Sequence, residues 1–326
     1  MALQIITVEG GCMSENIIYD VIIIGGGPSG LTAGIYTARA RLTTLLLNSY
    51  TILGQAVSTH LIENYPGFPE GIGGFELIER FEKQAQGFGI TIYPDTVKGI
   101  SPIERQGRNV WQVEAEDGIY YALSLIIATG ASHKALGVPG ESEFSGKGVS
   151  YCATCDGPLY KGKSLIVVGG GDAAVEEALF LTKFSLKITL IHRRDSLRAT
   201  NILQERLFAH KNITVIWNST VTDILGSTGV EGVRIKNVVT QEDMELDCSG
   251  VFVFIGLVPN TRLFERIIKL DDNGYIITDE NMMTSQKGIF ACGDCRQTPF
   301  RQVITACGDG AIAGFMVNHF FELRNN

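Results

Sequence analysis

No uninterrupted apolar run in this chain approaches the roughly 18 residues that cross a bilayer, so no transmembrane helix can be read from it. Basic charge is also scarce: 27 Lys and Arg stand against 35 Asp and Glu, a net charge of -8. Phosphates would be repelled, which sets aside nucleic acid and anionic membrane surfaces as main partners. Met1 to Gly11 contains no Lys or Arg and is broken by polar residues, so it lacks the form of a secretory signal. Gly10-Gly11-Cys12 faintly resembles a lipoprotein site, but Glu9 stands where an apolar residue would be wanted. The 7 cysteines are odd in number and scattered, unlike the framework of a small secreted domain, and a cytoplasmic location is expected.

What is present is the balance of a globular protein with a sizeable core, 45% apolar and 19% charged over 326 residues, and two domains are the natural expectation. Residues 1–15 are expected to form a disordered extension, with Met13 as a candidate start leading into the first strand.

Asp20-Val21-Ile22-Ile23-Ile24 is a β-branched apolar run, the mark of a buried parallel strand. It enters Gly25-Gly26-Gly27-Pro28-Ser29-Gly30 and then a helical composition from Leu31 to Ala40. Gly25, Gly27 and Gly30 fit the dinucleotide fingerprint, in which glycines make the turn tight and admit a pyrophosphate to the helix N-terminus. Read alone, the loop is also compatible with a plain strand-to-helix turn; its setting between a buried strand and a helix favours dinucleotide binding. The arrangement recurs. The strand Ser164 to Val168 meets Gly169-Gly170-Gly171-Asp172-Ala173-Ala174, followed by an amphipathic helix from Val175 and a further strand, Lys187 to Ile191. Two loops imply two dinucleotides.

The ends of the second strands differ. After Ile191 comes His192-Arg193-Arg194-Asp195-Ser196-Leu197-Arg198. An acidic residue here would hold a ribose hydroxyl, whereas arginines accommodate a 2′-phosphate, so Arg193, Arg194 and Arg198 favour NADP over NAD. The strand Thr44 to Leu47 ends instead at Asn48, which can hydrogen-bond a ribose hydroxyl as donor or acceptor.

Between the loops lies Cys152-Ala153-Thr154-Cys155-Asp156-Gly157. This spacing serves redox chemistry or metal binding. Zinc would need two further ligands, and the other pair, Cys292 and Cys295, lies far outside zinc-ribbon spacing; no metal site is expected. Asp156 favours redox chemistry, since a carboxyl beside a dithiol can supply or accept a proton. Nicotinamide gives a hydride while a disulfide is cleaved by electrons added at sulfur, and a flavin commonly joins the two. The first loop, including Pro28 and Ser29, is therefore assigned to FAD, and Gly169, Gly171, Asp172, Ala173 and His192 with the arginines to NADPH.

From about Asn16 onward the chain resembles the low-molecular-weight thioredoxin reductases. The resemblance is carried by both loops, Glu63-Asn64-Tyr65-Pro66-Gly67-Phe68, Ala128-Thr129-Gly130, the Cys152 to Gly157 pair, the arginine cluster, and Gly293-Asp294 followed by Arg301-Gln302-Val303-Ile304-Thr305. It implies an α/β fold of two Rossmann-like dinucleotide-binding domains. The FAD domain would span 16–132 and 262–326, and the inserted NADPH and disulfide domain 133–261. It further implies FAD contacts from Asn48, Gly54, Gln55, Asn64, Gly130, Asp294, Arg301, Gln302 and Val303. Cys155 would be the flavin-facing sulfur and Cys152 the outer one. Thioredoxin would be the electron acceptor and the assembly a homodimer. One departure is Leu53-Gly54-Gln55, where the family often has two glycines before the glutamine. Cys292, Cys295 and Cys307 are read as small packing residues.

Three rival readings remain. A reductase serving a peroxidase would carry an additional N-terminal thioredoxin-like module, which is expected to be absent because only residues 1–15 precede the first strand. A ferredoxin-dependent enzyme on the same scaffold would be expected to lose the arginine cluster. A non-catalytic NADP-binding or zinc-stabilised interaction protein would leave the Cys-x-x-Cys-Asp unit idle.

Overall fold

Residues 17–49, 54–59 and 61–325 are described by the computed structural model; the expected extension over 1–15, the candidate start at Met13 and Leu53 lie outside them. The described residues form two compact units: 17–49, 54–57, 61–131 and 259–325 make the first, and 58–59 with 132–258 the second.

The first unit is built on strands β1 (Ile18–Ile24), β2 (Thr44–Leu47), β3 (Thr91–Tyr93), β4 (Val97–Arg105), β5 (Arg108–Ala115) and β6 (Ile119–Ile127). They lie in the order β3-β2-β1-β6-β5-β4, and a late strand (Ile289–Ala291) also pairs with β6. β1, β2, β3 and the late strand pair in parallel, whereas β4, β5 and β6 form antiparallel ladders. The continuous apolar run of β1 follows from burial on both faces. Val21 and Ile23 enter one core with Leu31, Ala33, Ala313 and Val317, while Ile22 and Ile24 enter another with Trp111, Val113 and Phe264.

The first of these cores is covered by helices α1 (Pro28–Arg39), α3 (Gly74–Gly87) and α7 (Val303–Asn325); a single turn, α2 (Gln55–Ser58), lies between α1 and α3. α7 approaches α1 closely because two small residues line its contact. A Cβ at Gly310 would meet the Ser29 carbonyl oxygen at 2.2 Å, and one at Gly314 the Ala33 oxygen at 2.7 Å. Leu31, fully buried here, contributes about 2 kcal/mol relative to exposure.

The second unit repeats the plan. Its strands are β8 (Val149–Ser150), β9 (Ser164–Gly169), β10 (Lys187–Ile191), β11 (Ile213–Ile216) and β15 (Gly250–Phe254), parallel throughout in the order β11-β10-β9-β15-β8. Helices α4 (Ala153–Asp156), α5 (Asp172–Leu181) and α6 (Asn201–Ala209) contribute to the core on one face, through Ala153, Ala174, Val175, Ala178 and Leu203. The antiparallel strands β12 (Ser219–Gly226), β13 (Val230–Asn237) and β14 (Asp243–Asp247) cover the other. Apart from the short excursion after Val57, the chain passes between units at Ala131–Ser132 and Val258–Pro259, where β7 (Ala131–His133) pairs with β16 (Leu257–Pro259). In each unit the glycine-rich loop leaves the strand at which the connectivity reverses, β1 between β2 and β6, and β9 between β10 and β15. That is where open α/β sheets bind ligands.

Candidate active site

In the first unit the turn after β1 requires glycine for steric reasons. Gly25 has φ +113°, and a Cβ there would stand 2.3 Å from the Ala128 oxygen; one at Gly30 would stand 1.9 Å from the Gly25 oxygen. Around Gly27, by contrast, a Cβ would meet nothing within 4 Å. That gap opens beside the N-terminus of α1, which begins at Pro28 and has no side-chain cap. Uncapped N–H groups facing open space form an anion cradle.

Asn48 lies against this loop, its Oδ1 accepting a hydrogen bond from the Gly26 N–H at 3.1 Å. The C-terminal segment closes on the same place. Gly293 adopts φ +76°, and a Cβ there would strike Ser29 Oγ at 2.5 Å. Asp294 follows, and burial pushes its carboxyl up to about 6, the positive charge of Arg301 opposing and Asp309 reinforcing the rise. Arg301 stacks its guanidinium 4.0 Å from the Tyr275 ring centroid and keeps a buried Nε without a partner. Asn64 Nδ2 donates to Gln302 Oε1 at 2.9 Å, just before α7 begins at Val303. Gln55 Nε2 donates to the Ala131 carbonyl, Gly130 precedes that residue with φ +63°, and Gly54 has open space around it.

Sequence reasoning missed the brace behind these residues. Arg296 donates to both oxygens of Asp309, Nε to Oδ2 at 2.7 Å and Nη2 to Oδ1 at 3.2 Å, and the Gly293 N–H donates to Oδ2 at 3.2 Å. The fork ties the Asp294 turn to α7.

In the second unit α5 likewise starts after an uncapped glycine, Gly171, again with nothing within 4 Å of a Cβ. The arginine segment is stitched to the loop: the N–H groups of Arg198 and Ala199 donate to the Gly170 oxygen at 2.7 and 3.2 Å. Asp172 Oδ1 accepts from the Thr200 N–H at 2.7 Å, so this carboxylate fastens α6 to the loop, while Ala173 is exposed. The His192 ring presses on Gly170, its Nε2 is buried without a partner, and burial holds its pKa below the ordinary value. Arg193, Arg194 and Arg198 are exposed, and none is in an ion pair among the described residues. Three free guanidinium groups beside an open helix N-terminus suit a multiply charged anion.

Cys152 and Cys155 form a disulfide with Cα atoms 5.3 Å apart. Cys152 caps α4, its Sγ accepting from the Cys155 N–H at 3.2 Å, and Asp156 ends the helix with its N–H on the Cys152 oxygen. Ala153 anchors the turn in the core of α5. Two orphaned polar atoms on these helices carried no sequence signal, Thr154 Oγ1 and Glu177 Oε2. Burial, then the charge of Glu176, pushes the Glu177 carboxyl up to about 7.

The second Cys-x-x-Cys is of another kind. Cys292 enters one core and Cys295 the opposite one, both fully buried. They form no disulfide, and burial pushes the Cys295 thiol up to about 11 and raises the Cys292 thiol as well. Among the described residues, no cluster of three or more His, Cys, Asp or Glu could hold a metal ion, and no helix is long and apolar enough to cross a membrane.

Two dinucleotide-type cradles and one redox disulfide define a class, and residues 19–310 match the model of the pyridine nucleotide-disulphide oxidoreductase family. The chain belongs to that family. It is 47% identical over 308 residues to the thioredoxin reductase of Treponema pallidum (strain Nichols), a match covering 94% of this chain and 99% of the relative. It is 46% identical to that of Bacillus subtilis (strain 168), covering 95% and 97%. Among solved structures, Lactococcus lactis thioredoxin reductase in the FR conformation superposes with a TM-score of 0.89 at 44% identity, covering 94% of this chain and 99% of the other. The protein is thus an NADPH-dependent flavoprotein oxidoreductase that uses FAD, and the open space at Gly27 and Gly171 and the unpaired arginines fit those groups.

Proposed function

We propose that this protein is a thioredoxin reductase, in which the Cys152–Cys155 disulfide passes electrons from NADPH and FAD to the disulfide of thioredoxin. The observation that carries the reading is that disulfide, seated on a turn packed against the helix of the arginine-flanked loop. FAD would be held by Gly25, Gly27, Pro28, Ser29, Gly30, Asn48, Gly54, Gln55, Asn64, Gly130, Asp294, Arg301, Gln302 and Val303. NADPH would be held by Gly169, Gly171, Asp172, Ala173 and His192, with Arg193, Arg194 and Arg198 on its 2′-phosphate. When bound, the two cofactors supply a hydride and its conversion to an electron pair that a disulfide accepts.

The chain's own residues then do the exchange. The reduced Cys152 thiolate attacks a sulfur of the partner disulfide, forming a mixed disulfide and releasing a partner thiolate. Cys155 attacks Cys152, restores the internal disulfide and releases the second thiolate. Asp156, adjoining Cys155, holds or supplies the proton that balances these steps. Thioredoxin's potential, about −270 mV, calls for a donor as strong as NADPH. The reading includes a homodimer in the cytoplasm. It is tested by recording the absorption spectrum of the purified protein and then its NADPH-dependent reduction of a panel of thioredoxins. A colourless protein, or one inert toward every thioredoxin, refutes it.

A further inference from the structure

Glu141 is only 5% exposed and takes part in no ion pair among the described residues. A lone buried carboxylate is costly unless several donors converge on it. They do. Its Oε1 accepts from the Leu136 N–H at 2.7 Å and from the Tyr151 hydroxyl at 2.7 Å, and its Oε2 from the Gly137 N–H at 2.6 Å. Burial raises its pKa, but these donors outweigh burial and hold it below the ordinary carboxylate value. Glu141 is therefore a fixed charged anchor.

Tyr151 directly precedes Cys152, and two aromatic neighbours hold its surroundings. Its ring stacks at 6.4 Å between centroids on His133, whose own ring meets Phe254 edge-on at 5.8 Å. Ser150, on the other side, is 3% exposed; its Oγ accepts from the Cys152 N–H at 3.1 Å and lies 3.2 Å from the Cys152 carbonyl oxygen. Strand β8 in turn pairs Ser150 with Phe252 of β15. The three residues ending at Cys152 are thus pinned one by one, by groups that belong to neither dinucleotide cradle.

We propose that Tyr151, clamped by Glu141, is a positioning residue for Cys152, keeping its sulfur within reach of Cys155 when the bond between them is open. The inference rests on the proposed role of this pair. In the step concerned, Cys155 thiolate attacks Cys152 sulfur in the mixed disulfide. The Cys152–Cys155 bond forms, the bond to the partner sulfur breaks with its electron pair, and the leaving thiolate takes up a proton. The effective concentration of one sulfur at the other depends on how tightly Cys152 is held.

Tyr151→Phe removes only the hydroxyl and keeps the ring. The full-length holoenzyme and the variant are equilibrated in graded mixtures of oxidised and reduced dithiothreitol, acid-quenched, alkylated and weighed. In Tyr151→Phe the equilibrium constant for closing the disulfide should fall about tenfold, equivalent to about 30 mV for this couple. Glu141→Gln, which replaces one acceptor oxygen with a donor, should shift it in the same direction. A wild-type equilibrium reproduced by both variants, even with a lower melting temperature, would overturn the inference and leave Tyr151 a packing contact. A wild-type pair that never opens or closes in these buffers would overturn the underlying reading as well.

Discussion

Replacing Arg193 and Arg194 with alanine removes two of the three guanidinium groups that the second unit presents without partners. Both are exposed and free of ion pairs among the described residues, so the substitutions break no described internal salt bridge and leave the Gly170 stitch from Arg198 and Ala199 in place. A charge-assisted hydrogen bond contributes about 1.5–3 kcal/mol when well desolvated. Solvent screening at an exposed site brings this down to about 0.5–1 kcal/mol each. Two such losses correspond to roughly a tenfold fall in kcat/KM for NADPH, at about 1.4 kcal/mol per tenfold. NADH lacks the 2′-phosphate and should be used as before. Steady-state kinetics with both nucleotides, at fixed acceptor concentration, gives the two ratios. An equal loss with NADPH and NADH would refute the reasoning and assign the arginines to the architecture of the loop.

Gly30→Ala places a methyl group 1.9 Å from a backbone oxygen that cannot swing aside; the purified variant should lose most of its FAD, seen as loss of yellow colour, where wild type carries about one per chain. Cys152→Ser should leave a Cys155 thiolate and a long-wavelength charge-transfer band, and Cys155→Ser should leave none; near-normal thioredoxin reduction by either variant would show the pair to be wrongly assigned. Glu177 supplies a pH test. With a folded-state pKa of about 7 against an ordinary 4.5, the folded protein keeps a proton that the unfolded chain gives up first. The stabilisation is full below the unfolded value and is lost as pH rises toward the folded one, by at most about 3 kcal/mol. Urea unfolding at about pH 5 and about pH 8 should show that loss in wild type and a much smaller one in Glu177→Gln.

The parts of the site legible in the sequence are those whose chemistry is local. A tight turn demands glycine at Gly25 and Gly30 whatever surrounds it, and a 2′-phosphate demands positive charge a fixed distance beyond a glycine loop. The buried parallel strands announced themselves as apolar runs. What could not be read depends on residues that meet only in the fold. Arg296 and Asp309 form a bidentate pair through the closure of α7 on the Asp294 turn. Glu141 looks like any surface carboxylate until Tyr151 and two backbone N–H groups are seen to converge on it. The two Cys-x-x-Cys segments share a spacing but not a geometry. Both turns start from extended backbone, but at Cys152 the two sulfurs come together, whereas Cys292 and Cys295 enter opposite cores.

Each glycine loop also contains a residue that the fingerprint leaves open, and the structure shows why glycine fills it twice. In the first unit a Cβ at Gly26 would stand 2.5 Å from Asn48 Cγ; in the second, one at Gly170 would stand 2.3 Å from His192 Cε1. Asn48 and His192 hold the same place, the residue after the strand that follows each loop's helix, β2 in the first unit and β10 in the second. In both, a flat polar side chain folds back over the middle glycine of the loop. Asn48 Oδ1 accepts a hydrogen bond from the Gly26 N–H, while burial lowers the pKa of His192 and the charges of Arg198 and Arg193 act in the same direction. The two units therefore share not only a strand order but the packing of that residue on its loop. Their difference begins one residue later, where the second unit continues into Arg193 and Arg194 and the first into Ser49, whose hydroxyl hydrogen-bonds Thr96 Oγ1 at 3.0 Å. Under the proposed cofactor assignment, one scaffold would present a neutral rim to FAD and a cationic rim to NADPH, with the discrimination placed just outside the part that stays the same.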